Sequence, residues 1–339
     1  MLFLRPLGHP ERTIFIFPQT CRPMARCLHR NPRTPSLLLL LCAATLPFLL
    51  TPAAPAQTEP SPAFDAAALV RRAVNNHMAA EATHHPQRFV LHKKDEKRDY
   101  TQEVIETLQG DVAISMAANG APLTPISRQF QIDRLNNLAA HPDLQEHRRK
   151  REQEDNARVD KLMHLLPDAF LYHYDSTVPC TVVVPPYVAI PGEPPPPPAS
   201  TPATSAECYH LTFTPKPNWN PPDIEAKIMR GMAGEVWIEK SQERLTRLNA
   251  RLMTDVDFGW GVIGRLDKGG TILLEQTETS PSDWELTRMN LNFAGKALMV
   301  RSFSYHITEE LARYTPVPQG LDYRKAIQML ESEPPPAAK

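Results

Sequence analysis

The chain has 339 residues and a formal net charge of −1, which excludes a nucleic-acid binder that relies on a bulk positive field. Hydrophobic residues make up 42 % of the chain, which is enough for one good core. Proline is over-represented, with 36 residues against 13 glycines, and much of it falls in local runs that mark loops and linkers.

The N-terminal segment has the layout of a secretory signal peptide. Four arginines between residues 22 and 33 precede the apolar run Ser36–Leu50, and Ala54-Pro55-Ala56 follows as a small-residue cleavage site. The run is shorter than the roughly 20 apolar residues of a membrane span. We therefore expect residues 1–56 to be removed, with Met24 as an alternative start. The mature protein is then exported, periplasmic or secreted, without an integral membrane span.

The mature chain is predicted to begin with a helix and a group of strands. The helix covers Phe64–Ala82, with Asp65 as its N-cap and one apolar side. Strands are predicted around Phe89–Leu91, within residues 100–108 and at residues 112–116. Asn119-Gly120 predicts a tight hairpin turn, because both residue types tolerate positive φ.

A long charged helix is predicted over Pro142–Leu166. Opposite charges stand four residues apart along it, as in Glu146 and Lys150, and its apolar residues gather only near the C-terminal end. We therefore expect the end to dock and the middle to stand in water. The basic cluster His147–Arg151 also permits a nucleic-acid or lipid-headgroup surface, but interleaved acids favour a solvated face. His84, His85, His141 and His147 lack partners at metal-site spacing, so no metal site is expected.

Residues Pro185–Ala206 form a proline-rich excursion that cannot be a central strand, because proline lacks the backbone donor. An exposed, extended loop is expected; a ligand for a proline-recognition domain is the alternative. Cys180 and Cys208 stand on either side of it. Two cysteines in an exported chain favour one disulfide between adjacent strands, with two unrelated thiols as the alternative.

The stretch from Gly231 to His306 predicts an antiparallel meander. Apolar and polar residues alternate along it, and short turns separate the runs. The turns are predicted at Ser241-Gln242, Asp267–Gly270, Pro281–Asp283 and Ala294–Lys296.

Motifs that carry chemistry are scarce in this sequence. Residues Gly259–Gly264 match G-x-G-x-x-G, but the turn and strand that follow replace the helix that a dinucleotide site needs. The glycines are expected to allow a bend in a curling sheet. Asp255, Asp257, Glu275 and Glu278 lack acid–base partners in sequence, so no catalytic residue and no cofactor is predicted.

The meander resembles a known family. The segments GEVWIEK and WELTRMNL, with NGAPL at residues 119–123 as an upstream echo, are similar to bacterial outer-membrane lipoprotein-sorting proteins of the LolA/LolB-like superfamily and to secreted proteins that share its half-barrel. The resemblance implies an α+β fold: an incomplete antiparallel β-barrel, or curved meander sheet, with covering helices and an apolar cavity. We expect one such domain over residues 57–320, including the proline-rich loop at 185–206, followed by a short helix and a proline-rich tail at 321–339.

Two classes of function stay open, with an enzyme as a third. The first is a non-catalytic extracytoplasmic carrier or binding protein for lipid, lipoprotein or another hydrophobic ligand. The second is an envelope scaffold or interaction protein, with a filled sheet core and a protein partner. The large apolar residues of the meander are the candidate ligand contacts: Trp237, Leu248, Phe258, Trp260, Trp284, Met289, Leu291, Phe293 and Phe303.

Overall fold

An antiparallel sheet dominates the computed structural model, which describes residues 64–183, 188–194, 204–258, 264–281, 283–297 and 301–332. From Asp65 onward these residues belong to one compact unit. The predicted signal peptide with its cleavage site, Trp260 and the proline-rich tail lie outside the described residues. The fold class is α+β.

Four α-helices are described: α1 (Ala66–Glu81), α2 (Pro125–Ala140), α3 (Pro142–Ala169) and α4 (Tyr323–Ser332). A 3₁₀ helix covers Ala226–Gly231. The thirteen described strands are β1 (Gln87–Asp95), β2 (Asp99–Ile105), β3 (Val112–Ala118), β4 (Ala121–Pro122), β5 (Phe170–Val183), β6 (Thr204–Pro215), β7 (Met232–Glu239), β8 (Arg244–Leu252), β9 (Val256–Phe258), β10 (Gly264–Leu266), β11 (Thr271–Ser280), β12 (Asp283–Ala297) and β13 (Arg301–Pro316).

The start of the mature fold agrees with local sequence signals. Asp65 caps α1, because its carboxylate accepts a hydrogen bond of 2.9 Å from the backbone N–H of Ala68. Asn119 and Gly120 have φ values of 52° and 74° and join β3 to β4. The predicted capped helix and hairpin turn are therefore confirmed.

The strand order is β4-β3-β2-β1-β13-β12-β11-β8-β7-β6-β5, and the described ladders between neighbours are antiparallel. The predicted meander is thus confirmed for β7, β8, β11, β12 and β13, while β9 and β10 form a hairpin off this path and β10 pairs with β12. The turn predicted at Ala294–Lys296 is wrong. Strand β12 continues to Ala297, and Ala294 pairs with Ser304 of β13. Gly295 serves close packing rather than a turn, since a Cβ there would lie 2.1 Å from the carbonyl oxygen of Arg265.

The sheet curves strongly at the β5 end. Four inter-strand steps separate β5 from β11, which is roughly 19 Å in a flat sheet. Cα atoms of the two strands nevertheless approach within 8 Å. Within the described ranges β4 and β5 remain the two ends of the sheet and do not pair with each other, so the sheet is open.

The two faces of the sheet carry different helices. Helix α1 packs on the concave face, where Leu69 and Val74 meet Val236 and Ile238. The C-terminal part of α3 packs on the same face. Helices α2 and α4 cover β2 and β3 on the convex face, with Leu135 and Ile327 in one buried cluster.

Helix α3 docks through polar side chains as well as through its apolar end. Gln145 and Asn156 are buried, and Gln145 donates a hydrogen bond of 2.9 Å to the carbonyl oxygen of Gln109. The expectation that the middle of this helix stands in water is therefore wrong for one of its sides. Around Gln145 the buried side of the helix is polar rather than apolar. It meets backbone carbonyl oxygens, to which the side-chain amide can donate hydrogen bonds.

The proline-rich excursion was expected to be an exposed loop; residues 185–187 and 195–203 of it lie outside the described residues. The disulfide between Cys180 and Cys208 is confirmed, with Cα atoms 5.5 Å apart on the paired strands β5 and β6. Residues 188–194, however, return to the sheet, and Val188 and Ile190 are buried there. The strand β6 also begins at Thr204, inside the predicted excursion.

Candidate functional site

The largest buried apolar cluster of the described residues lies on the concave face, and we call it the concave cluster. It runs from Phe170 on β5 to Ile307 on β13 and takes in residues of every strand between them in sequence, from β6 to β12. Buried apolar residues from nine strands meet there, and the curvature brings β5 close to β11. A face of this kind is where an open, curved sheet would hold an apolar ligand.

Six of the nine candidate ligand residues belong to this cluster. Met289, Leu291 and Phe293 alternate along β12 and are 1 %, 1 % and 4 % exposed. Leu248, Phe258 and Phe303 are partly buried at its margin. The β12 residues therefore form the floor of the concave cluster and do not face open space.

Trp237 and Trp284 lie outside the concave cluster. Trp237 lies on the convex face, stacked on His210 at 4.7 Å between ring centroids, with the guanidinium of Arg247 5.0 Å from its ring. Trp284 donates a hydrogen bond of 2.9 Å to Oε1 of Gln242 at the polar end of the sheet. Their role as ligand contacts stays a prediction.

The side chains that cover the concave cluster were missed in the sequence. Leu162, Leu165 and Leu166 of α3 pack on it, as do Trp219 and Ile228 from the segment that connects β6 to β7. All five are only partly buried. The sequence predicted that the apolar end of α3 docks on the protein. It did not indicate which face of the sheet this end packs against.

A second feature of the concave face is a cluster of buried ionisable groups at its polar end. Nε2 of His84 lies 2.9 Å from Oε2 of Glu106, and Nδ1 lies 3.5 Å from Oε1 of Glu285. The same Glu106 oxygen accepts a hydrogen bond of 2.8 Å from the backbone N–H of Gln87. His84 thus bridges the end of β2 and the start of β12. These contacts could not be predicted from the sequence, because the three residues are far apart in it.

The electrostatics of this histidine cluster fix its charge state. Burial disfavours the His84 cation, but the hydrogen bond to Glu106 and the charges of Glu106, Glu285 and Glu81 outweigh it and raise its pKa to about 9. Burial raises the pKa of Glu285 well above its usual range, and the charges of Glu106 and Glu81 add to this effect. The arrangement therefore pairs the His84 cation with Glu106, beside Glu285, whose neutral form is favoured by burial.

A further pair of acids lies between α3 and the β2–β3 loop. Oε2 of Glu152 accepts a hydrogen bond of 3.3 Å from the backbone N–H of Asp111. Burial, followed by the charge of Glu152, raises the pKa of Asp111 well above its usual range. Burial also raises the pKa of Glu152 to about 7, although Arg148 opposes the shift. This contact joins α3 to the β2–β3 loop.

Neither polar cluster has the composition of a metal centre or a nucleotide site. Among the residues that the structure describes, no group of three or more His, Cys, Asp or Glu side chains could hold a metal ion. The G-x-G-x-x-G motif falls between β9 and β10, which are paired antiparallel strands, and most of it lies outside the described residues. The dinucleotide geometry of strand, turn and helix is therefore not formed by the described parts of this stretch.

Comparisons with protein-family models, with curated proteins and with solved structures found no match. They assign no family. The resemblance to lipoprotein-sorting proteins therefore stays a prediction. In the described part of the chain, no helix is long and apolar enough to cross a membrane.

Proposed function

We propose that this protein is a non-catalytic binding protein that carries a lipid or another hydrophobic ligand on the concave face of its sheet. The observation that carries the proposal is the concave cluster itself: a continuous apolar cluster built from nine strands of an open, curved sheet. In this proposal the curved sheet is an incomplete barrel, and the charged α3 is one of its covering helices.

The cover of the concave cluster supports a binding role. It consists of the last turns of α3 and the segment that connects β6 to β7, rather than a second sheet. Elements that contact a core through a few partly buried side chains open at lower free-energy cost than central strands do. A ligand that enters beneath α3 would replace contacts of Leu162, Leu165 and Leu166 with contacts of its own.

The free-energy cost of exposing an acyl chain to water explains why a carrier needs such a site. A long acyl chain in water costs roughly 0.8 kcal/mol for each exposed CH₂ group. A carrier must therefore offer an apolar surface that closes when it is empty and opens when it is loaded. The concave cluster meets the first condition, because Met289 and Leu291 are almost fully buried in the structure.

The compartment proposed for this activity is an oxidising, extracytoplasmic one. A disulfide between neighbouring strands, as in Cys180–Cys208, persists where thiols are not kept reduced. This supports the export inferred from the leader.

The second candidate is a scaffold or interaction protein with a filled core. It is favoured by the packing of Met289, Leu291 and Phe293 against one another and their neighbours, which leaves them 1–4 % exposed. A scaffold needs no opening beneath α3 and binds no lipid in stoichiometric amounts.

Binding of a fluorescent fatty-acid probe distinguishes the two. The variants Trp219→Ser and Ile228→Ser change partly buried residues of the cover and spare the floor, whose substitution by a charge would unfold the protein. We expect each to weaken probe binding about tenfold, as the loss of one large apolar contact does.

Leu171→Ser is the matched control, since Leu171 is 49 % exposed on β5 and outside the concave cluster. It should leave the affinity for the probe unchanged. If folded wild-type protein binds no probe and carries no lipid, the scaffold function replaces the carrier.

A further inference from the structure

The described residues 188–194 of the proline-rich excursion are here called the strap. It lies on the convex face of the sheet, opposite the concave cluster. Val188 and Ile190 are 1 % and 2 % exposed, and both belong to a buried cluster with Val90 of β1 and Ala312 of β13, against which Met116 of β3 packs. The alternate side chains of a short extended segment thus fill an apolar site on the sheet.

The strap continues into a defined turn. The backbone N–H of Glu193 donates a hydrogen bond of 3.0 Å to the carbonyl oxygen of Ile190, and Gly192 has a φ of 94°. Proline followed by glycine at the centre of a four-residue turn is the pattern of a type II turn. The turn directs Glu193 back to the sheet, where its Oε2 lies 2.8 Å from Nη1 of Arg313.

The sheet side of this contact is irregular where it receives the strap. The β1–β13 ladder shifts register between Arg88 and Val90, and Arg313 has a φ of 61°, which is uncommon for a residue that is not glycine. Backbone strain of this kind persists where the surrounding structure holds a side chain in a required position. Here that side chain is Arg313, which pairs with Glu193 of the strap.

The strap does not fill the whole site. A groove of about 350 Å³ remains beside it, bordered by Ile190 and Glu193 of the strap and by Arg88, Glu103, Met116 and Arg313 of the sheet. The groove combines an apolar floor with charged walls, so it suits a peptide segment better than a purely apolar ligand.

We propose that the apolar site beneath the strap and the groove beside it together form a peptide-docking site on the convex face, and that the strap occupies part of this site as an internal ligand. The partner that fits is an extended segment of another protein with the pattern of the strap: two apolar residues in alternate positions, a proline-glycine turn and an acidic residue. Two anchors in apolar pockets and one acid on an arginine are the means by which sheet surfaces recognise extended peptides.

The strap is covalently connected to β5, which explains why it would occupy the site when no partner is present. Val183 at the end of β5 and Val188 are five residues apart, which limits their separation to roughly 18 Å. Short connections of this kind give effective concentrations in the millimolar range. A free peptide of the same sequence must therefore compete with the strap, and a partner must bind more tightly or be displayed in many copies.

The test uses the full mature protein and a fluorescein-labelled peptide YVAIPGEPP, read out by fluorescence polarisation. The strap-weakened variant carries Val188→Ser and Ile190→Ser, and Glu193→Gln alone is a milder variant that keeps both apolar anchors. Each should bind the peptide at least tenfold more tightly than wild type does, because its own strap competes less.

Arg313→Ala, added to the strap-weakened variant, should lower the affinity for the peptide about tenfold, and a scrambled peptide should not bind. Circular dichroism and thermal melting establish that each variant is folded. The proposal is overturned if folded Glu193→Gln and strap-weakened proteins bind the peptide no better than wild type, or bind the scrambled peptide equally well.

Discussion

Nζ of Lys93 lies 2.5 Å from Oε1 of Glu309, and the two residues are 1 % and 4 % exposed. They face each other across the ladder of β1 and β13, and Glu309 is also the register partner of Met289 on β12. A buried ion pair therefore borders the floor of the concave cluster. Its attraction offsets a large desolvation cost, so its contribution depends on both partners being present.

Breaking this pair should destabilise the protein strongly. Lys93→Met leaves Glu309 buried without its cation, and we expect it to lower the free energy of unfolding by about 3–5 kcal/mol. The double variant Lys93→Met/Glu309→Leu should recover most of that loss. Urea denaturation of the single and double variants measures both values, and equal loss in the two would contradict the assignment of a buried pair.

Stability should fall as the pH rises from about 6.5 to 9. The pKa of His84 in the folded protein is raised to about 9, whereas an unfolded histidine titrates near 6.5. Its contribution to stability is therefore complete below about pH 6.5 and is lost as the pH rises to 9, amounting to about 3 kcal/mol. Glu152, whose pKa is raised from 4.5 to about 7, changes stability in the same direction between those values.

Urea denaturation at a series of pH values from 5 to 9.5 checks this dependence. His84→Gln should flatten the part between pH 6.5 and 9 and leave the part below it in place. A wild-type stability that rises across that interval would show that His84 is not the charged partner of Glu106.

The two glutamates beside His84 should respond differently to the same substitution. Burial raises the pKa of Glu285 and favours its neutral form, so Glu285→Gln replaces this group by a neutral one of similar shape and should change stability by less than about 1 kcal/mol. Glu106→Gln removes the anion that pairs with His84 and keeps one oxygen that can accept from the N–H of Gln87, and it should cost about 2 kcal/mol or more. Chemical denaturation at pH 7 compares them, and the reverse order would refute the assigned protonation states.

The disulfide should contribute to stability through the chain that it closes. Cys180 and Cys208 are 28 residues apart in sequence, for which the chain-entropy model gives about 3–4 kcal/mol. The double variant Cys180→Ser/Cys208→Ser should therefore unfold at lower urea concentration than the oxidised protein. Thiol titration of the unfolded, unreduced wild type should find no free thiol from this pair.

The sequence was most informative where a structural element is decided by neighbouring residues. The cap at Asp65, the turn at Asn119-Gly120 and the alternation of Met289, Leu291 and Phe293 all depend on contacts within a few positions. These features carried over to the structure.

Features decided by distant contacts were predicted poorly. His84 meets Glu106 and Glu285 only because the start of β1, the end of β2 and the start of β12 converge at one end of the sheet. Val188 and Ile190 were taken for an exposed loop because proline surrounds them, although their alternation is a signal for a buried extended segment.

The side of the sheet on which Trp237 lies could be read from its position in β7. Alternation along β7 places Trp237 on the same side as Glu235 and opposite Val236, so the sequence itself indicated the polar face. The aromatic content of the residue was given more weight than its position in the strand. The two-residue alternation along a strand, rather than the residue type, indicates on which face of the sheet a large side chain lies.

Native mass spectrometry of the folded protein with added long-chain fatty acid tests the carrier function most directly. Our account predicts a one-to-one complex that wild type and Leu171→Ser retain and that Trp219→Ser and Ile228→Ser weaken. A wild-type protein that remains free of lipid at saturating fatty acid, while still folded by circular dichroism, would contradict ligand binding on the concave face.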